Sequence, residues 1–413
     1  MTETYNKIEE KIRRFVDKSF KNRLENYTLE LSRGAEDGVN WLGTMHRVAI
    51  KGSKESGEKV QFNLIVKFAP CQPLFRGVLP IRNVYDREIY VYNKIIPEYL
   101  KIQEEKGVED MFNPFAVSYA STMDDGVEAL LMEDMKVRGF HNCDHQMGVN
   151  YNHASIIMRS LGKFHALSYA VKNEKPEIFA DWRDACPESF FNSTLYEPII
   201  SMVQSLSAAI LKTYGDDEAK TRDIFRRSTK NIPAIFKGLL DLDQFGKYLS
   251  ISYGDYQFRN FLFKYENSAD PHQPTDICML DFQCLKLGTP AYDISYFIGT
   301  CTDGELRQAH YHQLIREYYE SFSSFLSRLG SDPEVVFPYD VLLDHLRRFS
   351  VFGMYIGIWL VALDQKPTDN LPDLHNSADM ESLVHNLSVV PNETYIRRMR
   401  DLISDYIQYG YNL

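Results

Sequence analysis

Ser252-Tyr253-Gly254-Asp255-Tyr256-Gln257-Phe258-Arg259-Asn260 and, after two short apolar runs, Asp281-Phe282-Gln283 are the segments on which the reading of this chain turns. An aspartate is followed five positions later by an asparagine. That is the spacing of a phosphotransferase catalytic loop, in which the carboxylate takes the proton of an attacking hydroxyl and the asparagine ligates magnesium. The residue types follow from the chemistry. A hydroxyl attacking phosphorus needs a carboxylate within hydrogen-bond reach, and the oxygens of ATP need hard cations held by oxygen ligands. The intervening runs, Phe261 to Tyr265 and Ile277 to Asp281, flank a polar loop rich in Asn, Asp and Pro and predict a hairpin. Such a hairpin returns Asp281 to the end where Asn260 leaves. An Asp followed by an Asn is, by itself, also what a turn or a helix cap contains. Asp281 changes that reading, because a carboxylate at the end of an apolar strand is costly without a partner and a metal supplies one.

Upstream, Lys67 lies inside the apolar run NLIVKFA, and Glu88 lies on the apolar face of the helical pattern Asn83 to Ile96, between Tyr85 and Tyr92, with Pro97 marking its end. Both charges read as half buried, as in the pair that places a lysine on the α and β phosphates in kinases. Independent snorkelling to solvent is the alternative. Before them, the turn Gly34 to Thr44 holds Gly34, Gly38 and Gly43, whose backbone amides would approach phosphate closely; a generic glycine-rich turn has the same composition.

The surroundings predict an α+β chain with a bilobal, protein-kinase-like fold. Met45 to Ile50 and Gln61 to Phe68 read as a hairpin, and Phe115 to Tyr119 and Ala129 to Glu133 as two further strands around the turn Met123 to Gly126. The expected division is a strand-rich N-lobe over 1–132, a hinge over 133–136 and a helical C-lobe over 137–413. Its helices include Ala154 to Ala170, several between Glu188 and Leu242, and a run from Tyr292 onward, broken at Leu329 to Pro338 and Gln365 to Leu374. At 413 residues the chain exceeds the size of a single ordinary core. A formal charge of −11 argues against a nucleic-acid partner, whose binding depends on cationic neutralisation. Met1 to Phe20 lacks the apolar core of a secretory signal, and Val351 to Leu363 is too short for a membrane span and reads as a buried helix. A cytoplasmic location is therefore expected. The six cysteines show no C-x-x-C pair, which suits reduced thiols rather than disulfides or zinc.

Taken together, these residues resemble the insect ecdysteroid-kinase-like (CHK-kinase-like) family, related to choline kinases and aminoglycoside phosphotransferases. The likeness rests on Asn40-Trp41, Lys67, Glu88, Leu131 to Met135, Leu161 to Ala166, Gly254-Asp255 to Asn260, Asp281-Phe282-Gln283 and Pro290 to Asp293 occurring in the family's order. It implies ATP and Mg2+ as cofactors and backbone contacts to adenine from Glu133 and Met135. It also implies a Lys67 to Glu88 ion pair, Asp255 as base, and Asn260 and Asp281 on magnesium. Gly38, Asn40 and Thr44 would contact the nucleotide. Two positions depart from the family pattern. Tyr253 replaces a histidine whose work is to pack and orient the loop, and Gly43 stands where serine is frequent, with Thr44 as a substitute. His165 reads as a core histidine and Asp293 as a brace for the catalytic loop. The run Phe352, Tyr355, Ile356 and Trp359 has helical spacing and reads most simply as core, with the lining of an acceptor pocket as the alternative for part of it.

Only a short link separates Asp281 from Asp293, and no A-P-E follows, so a peptide platform has little room and a small hydroxylated molecule is the expected acceptor. The aromatic content of the helical segments, together with the resemblance, favours an apolar, steroid-like acceptor. A cationic acceptor of the choline or aminoglycoside type, or a catalytically silent binding module, stays open. No protein partner is expected.

Overall fold

In the computed structural model, residues 2–33, 43–71, 73–143, 148–267, 270–365 and 389–413 are described. Gly34, Gly38, Asn40 and most of the predicted break after Gln365 lie outside these residues.

The N-terminal part is a five-stranded antiparallel sheet of β1 (Glu25–Arg33), β2 (Thr44–Ser53), β3 (Lys59–Phe68), β4 (Ser118–Thr122) and β5 (Ala129–Glu133), in the order β1-β2-β3-β5-β4. The predicted hairpin is β2 and β3, paired from Thr44 opposite Phe68 to Ser53 opposite Lys59. The fourth strand sits later than expected: Phe115 makes only an isolated bridge to Met279, and pairing with β5 begins at Ser118. Helix α1 (Thr2–Phe20), whose charged sequence gave no apolar run to read, buries Ile12, Phe15, Val16 and Phe20 with Val48, Ile50, Leu64 and Val66 of the sheet. This is a small apolar cluster of its own.

On the other side of the sheet lie α2 (Pro73–Val78), α3 (Ile81–Tyr90) and α4 (Ile96–Glu105), the last two joined by a π-helical turn over Val91–Ile95. Pro97 therefore does not end the helix, as its sequence suggested. It stands in the first turn of α4, where a missing N–H costs nothing, and the wider turn before it absorbs the change of register. Tyr85, Tyr92, Ile95 and Tyr99 of this continuous rod are buried within the large core of the helical part.

That part contains α5 (Tyr151–Glu174), α6 (Pro176–Ala185), α7 (Tyr196–Leu211), α8 (Ala219–Thr229), α9 (Ile232–Leu239), α10 (Pro290–Cys301), α11 (Gly304–Arg328), α12 (Pro333–Val336), α13 (Tyr339–Phe349), α14 (Val351–Leu363) and α15 (Glu393–Gln408). Two small sheets interrupt it. β7 (Ser250–Ser252) pairs with β10 (Lys286–Gly288), and β8 (Phe261–Tyr265) lies between β6 (Phe140–Asn142) and β9 (Pro274–Met279). The fold class is thus the expected α+β, a strand-rich N-terminal sheet followed by a helical C-terminal region. All six cysteines are free thiols. Among the described residues no single helix is long and apolar enough to cross a membrane.

Helix α14 is the predicted buried apolar helix, with Phe352, Tyr355 and Ile356 in the core and Trp359 half-buried. It crosses α10 through glycines. A Cβ on Gly353 would lie 2.0 Å from the Ser295 carbonyl oxygen, and one on Gly299 would lie 2.4 Å from the Gly353 carbonyl oxygen. Both obstacles are backbone, which cannot rotate away. Gly353→Ala is accordingly expected to destabilise the protein by about 1–3 kcal/mol or more, the cost of overpacking. Thermal unfolding checks this; a melting midpoint equal to that of the parent would show that the helices separate freely.

Candidate active site

The catalytic loop is held from below by α10. Asp293, buried in the first turn of that helix, accepts from the Ser252 hydroxyl at 2.9 Å, the Tyr253 N–H at 2.8 Å and the Gly254 N–H at 2.9 Å. His165 of α5 stands 3.0 Å from the same carboxylate and 2.8 Å from the Tyr318 hydroxyl. It is a satisfied core histidine, and Asp293 is the brace that the sequence suggested. Gly254 needs to be glycine: its φ is +87°, and a Cβ would lie 2.0 Å from the Cys284 carbonyl oxygen.

Asp255 follows, with both oxygens engaged. Oδ1 accepts from the Tyr296 hydroxyl and from Gln257 Nε2 at 2.8 Å, and Oδ2 accepts from Asn260 Nδ2 at 2.9 Å. Burial pushes the Asp255 carboxyl above the ordinary carboxylate range, the donation from Tyr296 opposes this, and the charge of Asp281 adds to it. A base held there is more basic than a free aspartate while its donors keep it in place.

The hairpin β8–β9 pairs Phe261 with Met279, and a further bond runs from the Leu280 N–H to the Asn260 carbonyl at 2.9 Å. Asn260 and the residue before Asp281 are therefore neighbours, as the out-and-back path required. The strand, however, stops at Met279, short of the predicted Asp281. There the backbone turns left-handed, with φ +61° at Asp281, a conformation Asp tolerates better than most residues because its short polar side chain bonds locally. Tyr253 helps fix this bend. Its hydroxyl donates to the Leu280 carbonyl, and its ring packs 5.1 Å from that of Phe282. The tyrosine thus ties the catalytic loop to the Asp281 turn, the packing and orienting work expected at that position.

Lys67 joins the two halves. Its Nζ lies 2.8 Å from Glu88 Oε2 and 3.0 Å from Asp281 Oδ1. At 2% and 1% residual exposure, Lys67 and Glu88 are fully buried rather than half-buried. Burial works against the Lys67 ammonium, yet the charges of Asp281 and Glu88 outweigh it and raise its pKa. Burial likewise pushes the Glu88 carboxyl up, to about 7, against the pull of Lys67. One ammonium shared by two carboxylates is short of positive charge, and Glu88 Oε1 has no hydrogen-bond partner among the described residues.

Several participants had no sequence signal that singled them out. Arg87 donates to the Gln283 carbonyl at 3.2 Å and to the Ser189 hydroxyl at 2.9 Å, so the residue beside Glu88 ties its helix to the segment after Asp281. Tyr85 explains Gly43, since a Cβ at that position would meet the Tyr85 hydroxyl at 2.4 Å. Thr44, proposed as the substitute for the missing serine, has a buried hydroxyl without a partner among the described residues. Tyr296, one turn after Asp293, is brought to Asp255 by the packing of α10. Further away, Glu133 ends β5, its N–H bonded to the Val117 carbonyl at 2.9 Å, and Met135 opens the next turn under the cap of Asp134. The structure thus assembles Lys67, Glu88, Asp281, Asn260 and Asp255, while Glu133 stands at the end of the interior strand β5 and Met135 in the turn that follows it.

The donor set fits a hard divalent cation. Among the described residues no group of three or more His, Cys, Asp or Glu is arranged for a metal. Magnesium does not need one: it is commonly held by one or two protein oxygen ligands, with phosphate and water completing the shell. The carboxylate of Asp281 is one-quarter exposed, and the amide nitrogen of Asn260 is spent on Asp255, which leaves the amide oxygen for a ligand.

The model of the ecdysteroid kinase-like family matches residues 37–331. Among solved structures, the chain is similar to an ethanolamine kinase of Plasmodium vivax, at 12% identity and TM-score 0.37, covering 94% of this chain and 83% of that one. It is also similar to a choline kinase of Cryptosporidium parvum, at 11% identity and TM-score 0.42, covering 92% and 88%. A GDP complex of an aminoglycoside 2'-phosphotransferase matches at 11% identity and TM-score 0.39, covering 91% and 94%. No curated protein matches the chain in sequence.

Proposed function

We propose that this chain, which belongs to the ecdysteroid kinase-like family, transfers the γ-phosphoryl group of ATP to a hydroxyl of an apolar metabolite. As a member of that family it is a small-molecule phosphotransferase that acts on hydroxyl groups. The observation that carries the reading is Lys67 bonded at once to Glu88 and Asp281, at 2.8 and 3.0 Å, within a cluster that also holds Asn260 and Asp255. In this reading residues 1–132 are the nucleotide-binding lobe, with Glu133 and Met135 of the hinge 133–136 offering backbone groups to adenine. Residues 137–413 carry the base and the acceptor pocket. Lys67 takes the α and β phosphates, Thr44 offers to phosphate a hydroxyl without a partner among the described residues, and Asp281 and Asn260 hold Mg2+. The metal supplies neutralisation of phosphate charge. Asp255 receives the proton of the acceptor hydroxyl.

The charges on the acceptor side favour an uncharged substrate. Cys284 lies within electrostatic reach of both Asp255 and Glu188. Of the carboxylates around it, Glu188 is already paired with the buried Lys286, with which a cationic acceptor would have to compete. Nearby, Phe190 and Trp359 are half-buried aromatics with ring centroids 6.2 Å apart, a surface for an apolar skeleton.

The test is to incubate the protein with ATP and magnesium in the presence of an ecdysteroid, choline and an aminoglycoside, and to follow product mass. Phosphate should appear on the ecdysteroid, with an affinity that changes little between low and high salt, because burial of apolar area is not screened. Transfer confined to choline or the aminoglycoside would refute the apolar acceptor and leave the kinase assignment standing. MgATP binding without transfer to any hydroxyl would refute the kinase assignment.

A further inference from the structure

The two oxygens of the Asp255 carboxylate are not equivalent. Among the described residues, Oδ1 accepts from both Tyr296 and Gln257, whereas Oδ2 accepts from Asn260 alone. A carboxylate oxygen offers two lone pairs, so Oδ1 is filled and Oδ2 keeps one open. We propose that Tyr296 is a positioning residue for phosphoryl transfer: with Gln257 it closes Oδ1, so that the acceptor hydroxyl is received by Oδ2, on the Asn260 side. This rests on Asp255 being the base.

Tyr296 is the stronger of the two holders. Gln257 belongs to the loop it restrains and is only half-buried, whereas Tyr296 is 5% exposed and fixed on α10. The same helix face grips the loop along its length. Asp293 takes the hydroxyl and amides of residues 252–254, Tyr296 takes the Asp255 side chain, Phe297 lies with its ring 6.4 Å from that of Tyr256, and Cys301 Sγ lies 3.3 Å from the Phe258 N–H. Backbone and carboxylate of the base are therefore set by one rigid element. With Oδ1 closed, rotation of the carboxylate that would exchange its oxygens breaks three hydrogen bonds at once.

The step then balances simply. As the acceptor oxygen bonds to phosphorus, the bond from phosphorus to the bridging oxygen of ADP breaks, and the hydroxyl proton passes to Asp255 Oδ2. That proton goes to solvent when the phosphorylated alcohol and ADP leave.

Tyr296→Phe removes the hydroxyl and keeps the ring, so it separates positioning from packing. With ATP and magnesium, and either an ecdysteroid or water as phosphate acceptor, kcat is expected to fall roughly 10-fold to 100-fold, the loss of one hydrogen bond to a charged group, while the KM for ATP stays put. In an Asp255→Asn background the same change should cost nothing further, because Tyr296 acts through that carboxylate. A second readout needs no turnover: with tyrosine labelled by 13C at Cζ, the resonance lost in Tyr296→Phe should shift in Asp255→Asn. Wild-type kcat in Tyr296→Phe, a multiplicative loss in the double variant, or a Tyr296 resonance indifferent to Asp255→Asn would each overturn the inference alone. A wild-type protein that binds MgATP and transfers no phosphate, even to water, overturns the kinase assignment and this inference with it.

Discussion

Asp255→Asn is expected to lower phosphoryl transfer by roughly 10²-fold to 10⁴-fold, the usual share of general-base catalysis, while MgATP binding is retained. The asparagine has the same size and leaves the Asp293 braces on residues 252 to 254 untouched, since those bonds use backbone and Ser252. What it loses is the capacity to take a proton. It also turns one of the two side-chain oxygens into a donor that faces other donors, Asn260 on one side or Tyr296 and Gln257 on the other. Steady-state kinetics and calorimetric titration with MgATP separate the two effects. Unchanged turnover would place the base elsewhere.

Asp281→Ala should weaken MgATP binding on the order of 10²-fold, about 2.8 kcal/mol, and more severely than Asp255→Asn does. The carboxylate is the charged oxygen ligand of the proposed pair, and it shares the Lys67 ammonium with Glu88. Alanine at φ +61° adds backbone strain that has nothing to do with metal. Asp281→Asn is the necessary companion, because asparagine accepts the left-handed turn and keeps an oxygen while removing the charge. Both variants should lose magnesium-dependent affinity in titration calorimetry. If both bind MgATP as the parent does, Asp281 is not a metal ligand.

Much of this site could be read from sequence because its chemistry is local in the chain. The spacing of Asp255 and Asn260 fits within one loop, and the apolar runs on either side of the polar loop fixed a hairpin that had to bring Asp281 back. Lys67 and Glu88 stood out because charges on apolar faces need partners. The remainder depended on contacts that no periodicity announces. The register change at Val91–Ile95 is a backbone event, so Pro97 read as a stop although the helix runs on to Glu105. The left-handed turn at Asp281, the Tyr85 hydroxyl filling the space beside Gly43 and the grip of Tyr296 on Asp255 each join residues set by packing of the whole molecule. Helix α1 was legible but went unread: Ile8, Ile12, Phe15, Val16 and Phe20 recur at helical spacing among its charges.

The glycine seam between α10 and α14 has a consequence for how the protein is made. Asp255, the helix that aims it, and the helix that backs that helix leave the ribosome in this order, and the last of them ends at Leu363, more than a hundred residues after the aspartate. At about 5–20 residues per second, the base waits several seconds or more for its final support. Until then α10 exposes an apolar face matched in shape to a segment not yet synthesised. Competence is thus acquired late: a nascent chain arrested between residues 301 and 351 holds every residue of the proposed chemistry and lacks the helix that backs α10.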